Sequence, residues 1–145
     1  MVGIAVVIVS AVCACAPARV RSDPSLAGKI EPLLNSAVPT RLADVAAFDW
    51  DRVYLFEGYT QSGEIKSIVG GDVLDTPWVP ESEILLVFDS NGRPVRVASM
   101  GAFVFPADNL QVPHGWSRNA VLEPKCRLLW LHEPGQPGPP DDCSK

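Results

Sequence analysis

Histidine is scarce in this chain: His114 and His132 are the only two. Neither falls in a C-x-x-C or H-x-x-x-H spacing, and zinc needs three or four well-placed ligands, so no metal centre is expected. No Ser or Cys sits in a nucleophile elbow, and Gly70-Gly71 lacks the Lys and Ser/Thr that complete a phosphate loop. Neither a cofactor nor a catalytic residue is therefore expected. His132-Glu133, a base beside a possible orienting carboxylate, is the nearest approach to acid–base chemistry. Basic residues are also few, 12 against 17 acidic for a net charge of -5, and form no cluster or basic–aromatic stripe. Nucleic-acid affinity rests on phosphate neutralisation, so that class of partner is excluded. A cationic partner is easier to accommodate, although surplus carboxylates on an exported domain also serve solubility.

What the chain does have is an apolar run from Val2 to Val12 leading into Val12-Cys13-Ala14-Cys15. An aliphatic residue, a tolerated small residue and Ala before a Cys resemble a bacterial lipoprotein signal, in which that Cys is acylated and becomes the mature N-terminus. The resemblance implies a signal peptide over residues 1–14, lipidation of Cys15 and attachment to the membrane through the lipid. Three rivals remain open, one of them a buried N-terminal strand or helix, which would leave the run with no polar face and no turn residues before Pro17. Ala16-Pro17-Ala18 satisfies the small-x-small rule for a cleaved secretory signal, and a retained anchor would need about 20 apolar residues where Arg19 and Pro17 intervene early. Ala16 after Cys15 is not the Asp that favours inner-membrane retention in enteric-type lipoproteins. The periplasmic face of an outer membrane is the location that likeness allows.

Residues 15–24 are expected to be a tether and residues 25–145 one domain, in keeping with the usual domain size. With Cys13 removed and Cys15 acylated, Cys126 and Cys143 remain. Two leftover cysteines in an oxidising compartment are expected to pair, closing a loop that contains the Pro/Gly tract 133–142.

Within the domain, Leu26, Ile30, Leu33 and Leu34 form a helical stripe limited by Pro32. Thr40 is placed to cap a single turn over Arg41-Asp44. Trp50 to Tyr59 reads as a strand, and Thr60 as the cap of a short helix with Ile65, Ile68 and Val69 on one face, stopped by Gly70-Gly71. Asn91-Gly92 between Ile84-Asp89 and Pro94-Ser99 predicts a two-residue hairpin turn. Phe103-Phe105 and Cys126-His132 are further strand candidates, with Pro106, Pro113 and Pro124 breaking the chain between them. The pattern predicts α+β: an antiparallel sheet of about four or five strands with short helices on one face.

Phe48-Asp49-Trp50-Asp51-Arg52-Val53-Tyr54, followed by Tyr59-Thr60, resembles an F-x-W-D-x-V-Y pattern in a group of small, uncharacterised bacterial lipoproteins and exported proteins. The likeness spans residues 42–100 and implies envelope location without implying any reaction. A second likeness, architectural only, is to the small lipoprotein subunit of the outer-membrane barrel-assembly machinery and to similarly built inhibitor domains; architecture does not fix function. Asp49 and Asp51 share one side of an extended strand, so Trp50 is expected to be a core anchor and the aspartates to cap a turn and pair with Arg52. Asp89-Ser90-Asn91-Gly92 begins like a calcium loop but has Arg93 at its fifth position and no Glu at its twelfth.

His114-Gly115-Trp116-Ser117-Arg118 suggests an exposed recognition loop. Trp78 and Trp116, with Tyr59 next, are the candidate partner contacts, because aromatics in polar, Pro/Gly-rich loops suit interface anchors; a satellite core role is the bland alternative for each. The expected function is a lipid-anchored extracytoplasmic binding or structural accessory protein of the bacterial envelope with a protein partner. The alternative is a tethered or secreted inhibitor of an extracytoplasmic hydrolase.

Overall fold

A computed structural model of the protein describes residues 20–110 and 113–144. The signal over residues 1–14 and the lipidation position Cys15 lie outside the described residues.

The Asn91-Gly92 hairpin is the centre of the molecule. Strand β4 (Glu83–Ser90) turns into β5 (Arg93–Gly101), and Asn91 and Gly92 carry φ of 53° and 72°. Two successive positive φ values are the signature of a type I′ turn, whose twist matches that of the flanking strands. Strand β3 (Arg52–Phe56) pairs antiparallel with β4, and the short β6 (Trp116–Ser117) pairs with β3.

The other edge holds a surprise. Strand β1 (Arg21–Ser22) lies parallel to β5, and Asp23 N–H donates to Val97 O at 2.8 Å. Asp23 also caps helix α1 (Pro24–Ile30) and meets the Arg96 guanidinium at 3.2 Å. The last residues of the expected tether are thus held against the sheet. The sheet is five-stranded and mixed, in the order β1-β5-β4-β3-β6.

A second sheet of three strands, not foreseen from the sequence, joins β2 (Thr40–Arg41), β7 (Val121–Lys125) and β8 (Leu128–His132) in the order β2-β7-β8. Pro124 does not break β7. It lies beyond the two-residue pairing with β2, so its missing N–H falls where no ladder is required. Cys126 and Arg127 form the turn instead of beginning the strand, with φ of 56° and 62°. Phe103-Phe105 is a turn segment, in which Val104 and Phe105 are buried and Phe103 is fully turned out to solvent.

The apolar run Ile84-Phe88 is buried throughout because both faces of the large sheet are covered. On one face Trp50, Val53, Leu55, Leu86 and Phe88 pack with Leu26 and Ile30 of α1, with Leu42 of α2 (Leu42–Val45) and with Leu122, Leu129 and Leu131 of the small sheet. Trp50 is fully buried, donates its indole N–H to Ala46 O at 2.9 Å and meets Phe88 edge-on. On the other face Phe56, Leu85 and Val87 pack with Ile65 and Val69 of α3 (Ser62–Val69). Helices therefore lie on both faces rather than one. An α+β architecture stands, built from two sheets. No helix among the described residues is long and apolar enough to cross a membrane.

The expected caps also shift by one residue. Thr60 uses its hydroxyl to donate to Glu57 O at 2.8 Å, leaving Gln61 at the N-cap of α3, and Arg41 takes the N-cap of α2. Pro32 sits where a helix tolerates it, near the start of a separate 3-10 segment over Glu31–Asn35.

Candidate functional site

Of the three expected contact aromatics, two are brought to one place. The chain leaving β3 and the chain approaching β4 form a short ladder: Tyr59 N–H donates to Val79 O at 2.8 Å, Val79 N–H to Thr60 O at 3.0 Å and Ser62 N–H to Pro77 O at 2.9 Å. Gly58 permits the close approach, since a Cβ there would lie 2.6 Å from Glu81 O. Thr60 and Val79 are buried, so the alternation of an extended pair turns Gln61 and Trp78, which face each other across the ladder, outward. Trp78 is 52% exposed and Tyr59 61% exposed.

Tyr59 takes a left-handed conformation, φ 68°, which is uncommon for a bulky residue. The neighbouring Glu81 carboxylate favours the protonated phenol and raises its pKa above the ordinary tyrosine value. A second clamp fixes Trp78 at the backbone, where Thr76 Oγ1 donates to Trp78 O at 2.9 Å. Both aromatics thus stand in solvent on backbone that is fixed from beneath.

Trp116 is elsewhere and is not a free loop residue. As part of β6 it pairs with Val53, near the end of β3 remote from Tyr59, packs against the main core and donates its indole N–H toward Asn109 O at 3.4 Å. It does line a cleft of about 370 Å³ with Arg52, His114, Ser117, Glu133 and Gln136. Here the expected recognition loop and Glu133 meet: Ser117 donates to Glu133 through its N–H at 2.7 Å and its Oγ at 2.6 Å.

That arrangement ties Ser117 of β6 to the Glu133 carboxylate. Both carboxylate oxygens are occupied, and among the described residues no hydrogen bond connects the His114 ring to Ser117. Nor do His132 and Glu133 act together. Neighbours at the end of a strand diverge, and His132 Nε2 lies 3.0 Å from Glu123 Oε2 instead.

The Asp49-Trp50-Asp51 group resolves into structure as well. Asp51 Oδ2 accepts from Asn91 N–H at 2.7 Å and its own N–H donates to Asp89 O at 2.7 Å, so it braces the central hairpin turn. Arg52 does not pair with the aspartates; its guanidinium donates to His114 O at 3.0 Å. Asp89 is the buried carboxyl of this corner. Desolvation raises its pKa first and foremost, the Asp51 charge adds to that, and the hydrogen bond from Arg52 N–H acts against both.

The two distant cysteines meet. Cys126 and Cys143 form a disulfide with Cα atoms 5.3 Å apart, 17 residues apart in sequence. No group of three or more His, Cys, Asp or Glu suited to a metal occurs among the described residues.

Sequence reasoning missed Glu81, whose role depends on the ladder, and Asn109. Asn109 is buried and bonds the strand-free edge of β8 with both ends of its amide: Nδ2–H donates to Leu131 O at 2.9 Å and Oδ1 accepts from Leu131 N–H at 2.7 Å. It serves as a substitute strand. The only hint in the sequence is an Asn three residues beyond Pro106, in a short polar turn. Comparison with protein-family models, with curated proteins and with solved structures finds no match to this chain.

Proposed function

We propose that this is a lipid-anchored extracytoplasmic accessory protein of the bacterial cell envelope that works by binding a protein partner through Tyr59 and Trp78. The observation that carries the reading is the Cys126–Cys143 disulfide. Bonds of this kind form and persist outside the reducing cytosol, which accords with the apolar run and acylation-type Cys15 of the sequence. Binding rather than catalysis is supported by two large aromatics held out in solvent on fixed backbone. Such residues combine large contact area with little entropy lost on association.

Two experiments test the two halves. Cells fed a tagged fatty acid should label the wild type and the Cys13→Ser variant and leave Cys15→Ser unlabelled; several acyl chains would make the attachment durable enough to require detergent. An unlabelled wild type removes the anchor. For binding, a photo-cross-linking residue in place of Trp78 should give a discrete adduct in cells, and the same residue in place of Arg127 on the second hairpin should not. Loss of that difference removes the assigned surface. An adduct to a single hydrolase would favour the inhibitor reading, in which the disulfide-closed tail acts as a wedge.

A further inference from the structure

The net charge of the chain is not spread over it. Residues 57–83 contain Glu57, Glu64, Asp72, Asp75, Glu81 and Glu83 against Lys66 alone, a balance of -5 that equals the net charge of the whole chain. The remainder is neutral. This same segment carries the aromatic ladder and α3, and three of the five large hydrophobic residues exposed among the described residues: Tyr59, Ile68 and Trp78. Lys66, its single cation, is matched by Asp72 at 2.9 Å.

Beside the ladder runs an open groove of about 1380 Å³. Its walls include Gly71, Asp72, Asp75, Pro80 and Glu83 from the acidic segment and Arg93 from the central hairpin, its one basic side chain. Its lining also runs through Val95, Val97 and Ser99, alternate residues on one face of β5 along which an extended chain can lie.

We propose that this face docks an extended, Arg/Lys-rich segment of a partner protein, the basic side chains meeting Asp75 and Glu83 along the groove and one guanidinium stacking on Trp78 beside Tyr59 and Glu81. The inference rests on the reading of Tyr59 and Trp78 as the binding surface and adds the chemistry of what they bind. Charge and shape act together here. A cation over an aromatic face is attracted by the ring quadrupole, with Trp the best of the rings, and carboxylates clustered on one side raise the encounter rate with a positive chain. Arg suits both contacts because its planar guanidinium stacks on rings and bonds carboxylates in pairs.

The test uses the full chain in detergent and synthetic ten-residue peptides of arginine, of glutamate and of an alternating Gly-Ser sequence, with binding followed calorimetrically. Only the arginine peptide should bind, and its affinity should fall several-fold between about 50 mM and 500 mM salt, as screened surface charges require. Trp78→Ala should weaken it about threefold or more, in line with an exposed cation–π contact, and Asp75→Asn with Glu83→Gln should weaken it further. Asp142→Asn, on the far acidic tail, should leave it unchanged. Arginine-peptide binding that ignores Trp78→Ala, or falls equally with Asp142→Asn, would be unspecific attraction to an acidic protein and would overturn the proposal. Absence of binding, while the residue at 78 still cross-links one partner in cells, would overturn the cationic chemistry and leave the binding surface standing. Loss of the cellular adduct together with peptide binding at this face would do the reverse.

Discussion

Two hairpins in this protein close with the same backbone geometry and very different residues. The β4–β5 turn uses Asn91-Gly92 and the β7–β8 turn uses Cys126-Arg127, yet both place two successive residues at positive φ. Asn and Gly enter that region readily, whereas Cys and Arg do so against a steric cost of about 1 kcal/mol or more each. The first hairpin is therefore specified by its own sequence. The second needs help from outside, and three outside contacts surround it: the disulfide from Cys126 to the tail, the Asn109 amide along β8, and the Val104 carbonyl that accepts from Leu129 N–H at 2.8 Å. Where local preference and final conformation disagree, distant contacts must over-determine the conformation.

The difference can be attacked from its strong end. Reducing the disulfide should lower the stability of the chain by about 3 kcal/mol, the value expected from loop-closure entropy for a ring of this length. Equilibrium denaturation with and without reductant measures it. Because the tract from Pro134 to Asp142 is otherwise exposed, protease should cut there much faster after reduction. Two free thiols in the protein isolated without reductant would contradict both the bond and the compartment it implies.

Next in size is Asn109→Ala. It leaves the N–H and C=O of buried Leu131 without their partners, which should cost about 2 kcal/mol. Hydrogen exchange should rise first in β8 and not in β4, and a uniform rise across both sheets would mean that the second hairpin is not separately supported.

A smaller effect tests the turns directly. Arg127→Gly should stabilise by about 1 kcal/mol through relief of its left-handed backbone, while Gly92→Ala should cost a similar amount. Equal responses in sign at the two turns would erase the contrast between them. At Gly92 the loss is conformational, because a Cβ there meets nothing within 4 Å.

The smallest expected change is pH-dependent and belongs to the first hairpin. Asp89 has a folded pKa raised above its ordinary value of 3.8, chiefly by desolvation. A raised folded pKa means that the folded state holds the proton more tightly than the unfolded chain does. Its contribution to stability is then fully present below 3.8 and is lost as pH rises through the folded value. Asp89→Asn keeps an acceptor for Arg52 N–H and removes the titration. The variant should gain on the wild type as pH increases across that window and the gain should then level off. A stability difference that shrinks with rising pH would show that the carboxylate is favoured in this corner.

The candidate contact surface was legible only in part. Tyr59 and Trp78 could be picked out as aromatics in polar, glycine- and proline-bearing stretches, but nothing in their separation told that a ladder would hold both outward. Trp116 carried the same local mark and turned out to pack against the core as part of a two-residue strand. Its fate depended on β3 being available to pair with it, a partner more than sixty positions away. Glu133 likewise looked like a companion to His132, because adjacency in sequence suggests contact, and the strand geometry separated them.

The residues by themselves determined the central hairpin, the buried role of Trp50, the short α3 and the likelihood of a bond between the last two cysteines. Each of these rests on preferences that operate within a few residues or, for the cysteines, on elimination. The tertiary structure alone decided the second sheet, the parallel seating of Arg21–Ser22 on β5 and the placing of helices on both faces of the large sheet. Those features come from burial: the run Ile84–Phe88 has apolar side chains on both sides, so each face had to be covered by whatever distant segments could reach it. A strand of two residues leaves no periodicity to detect, and a turn built from Cys and Arg contradicts its own local preference, so only the packed chain could reveal either one.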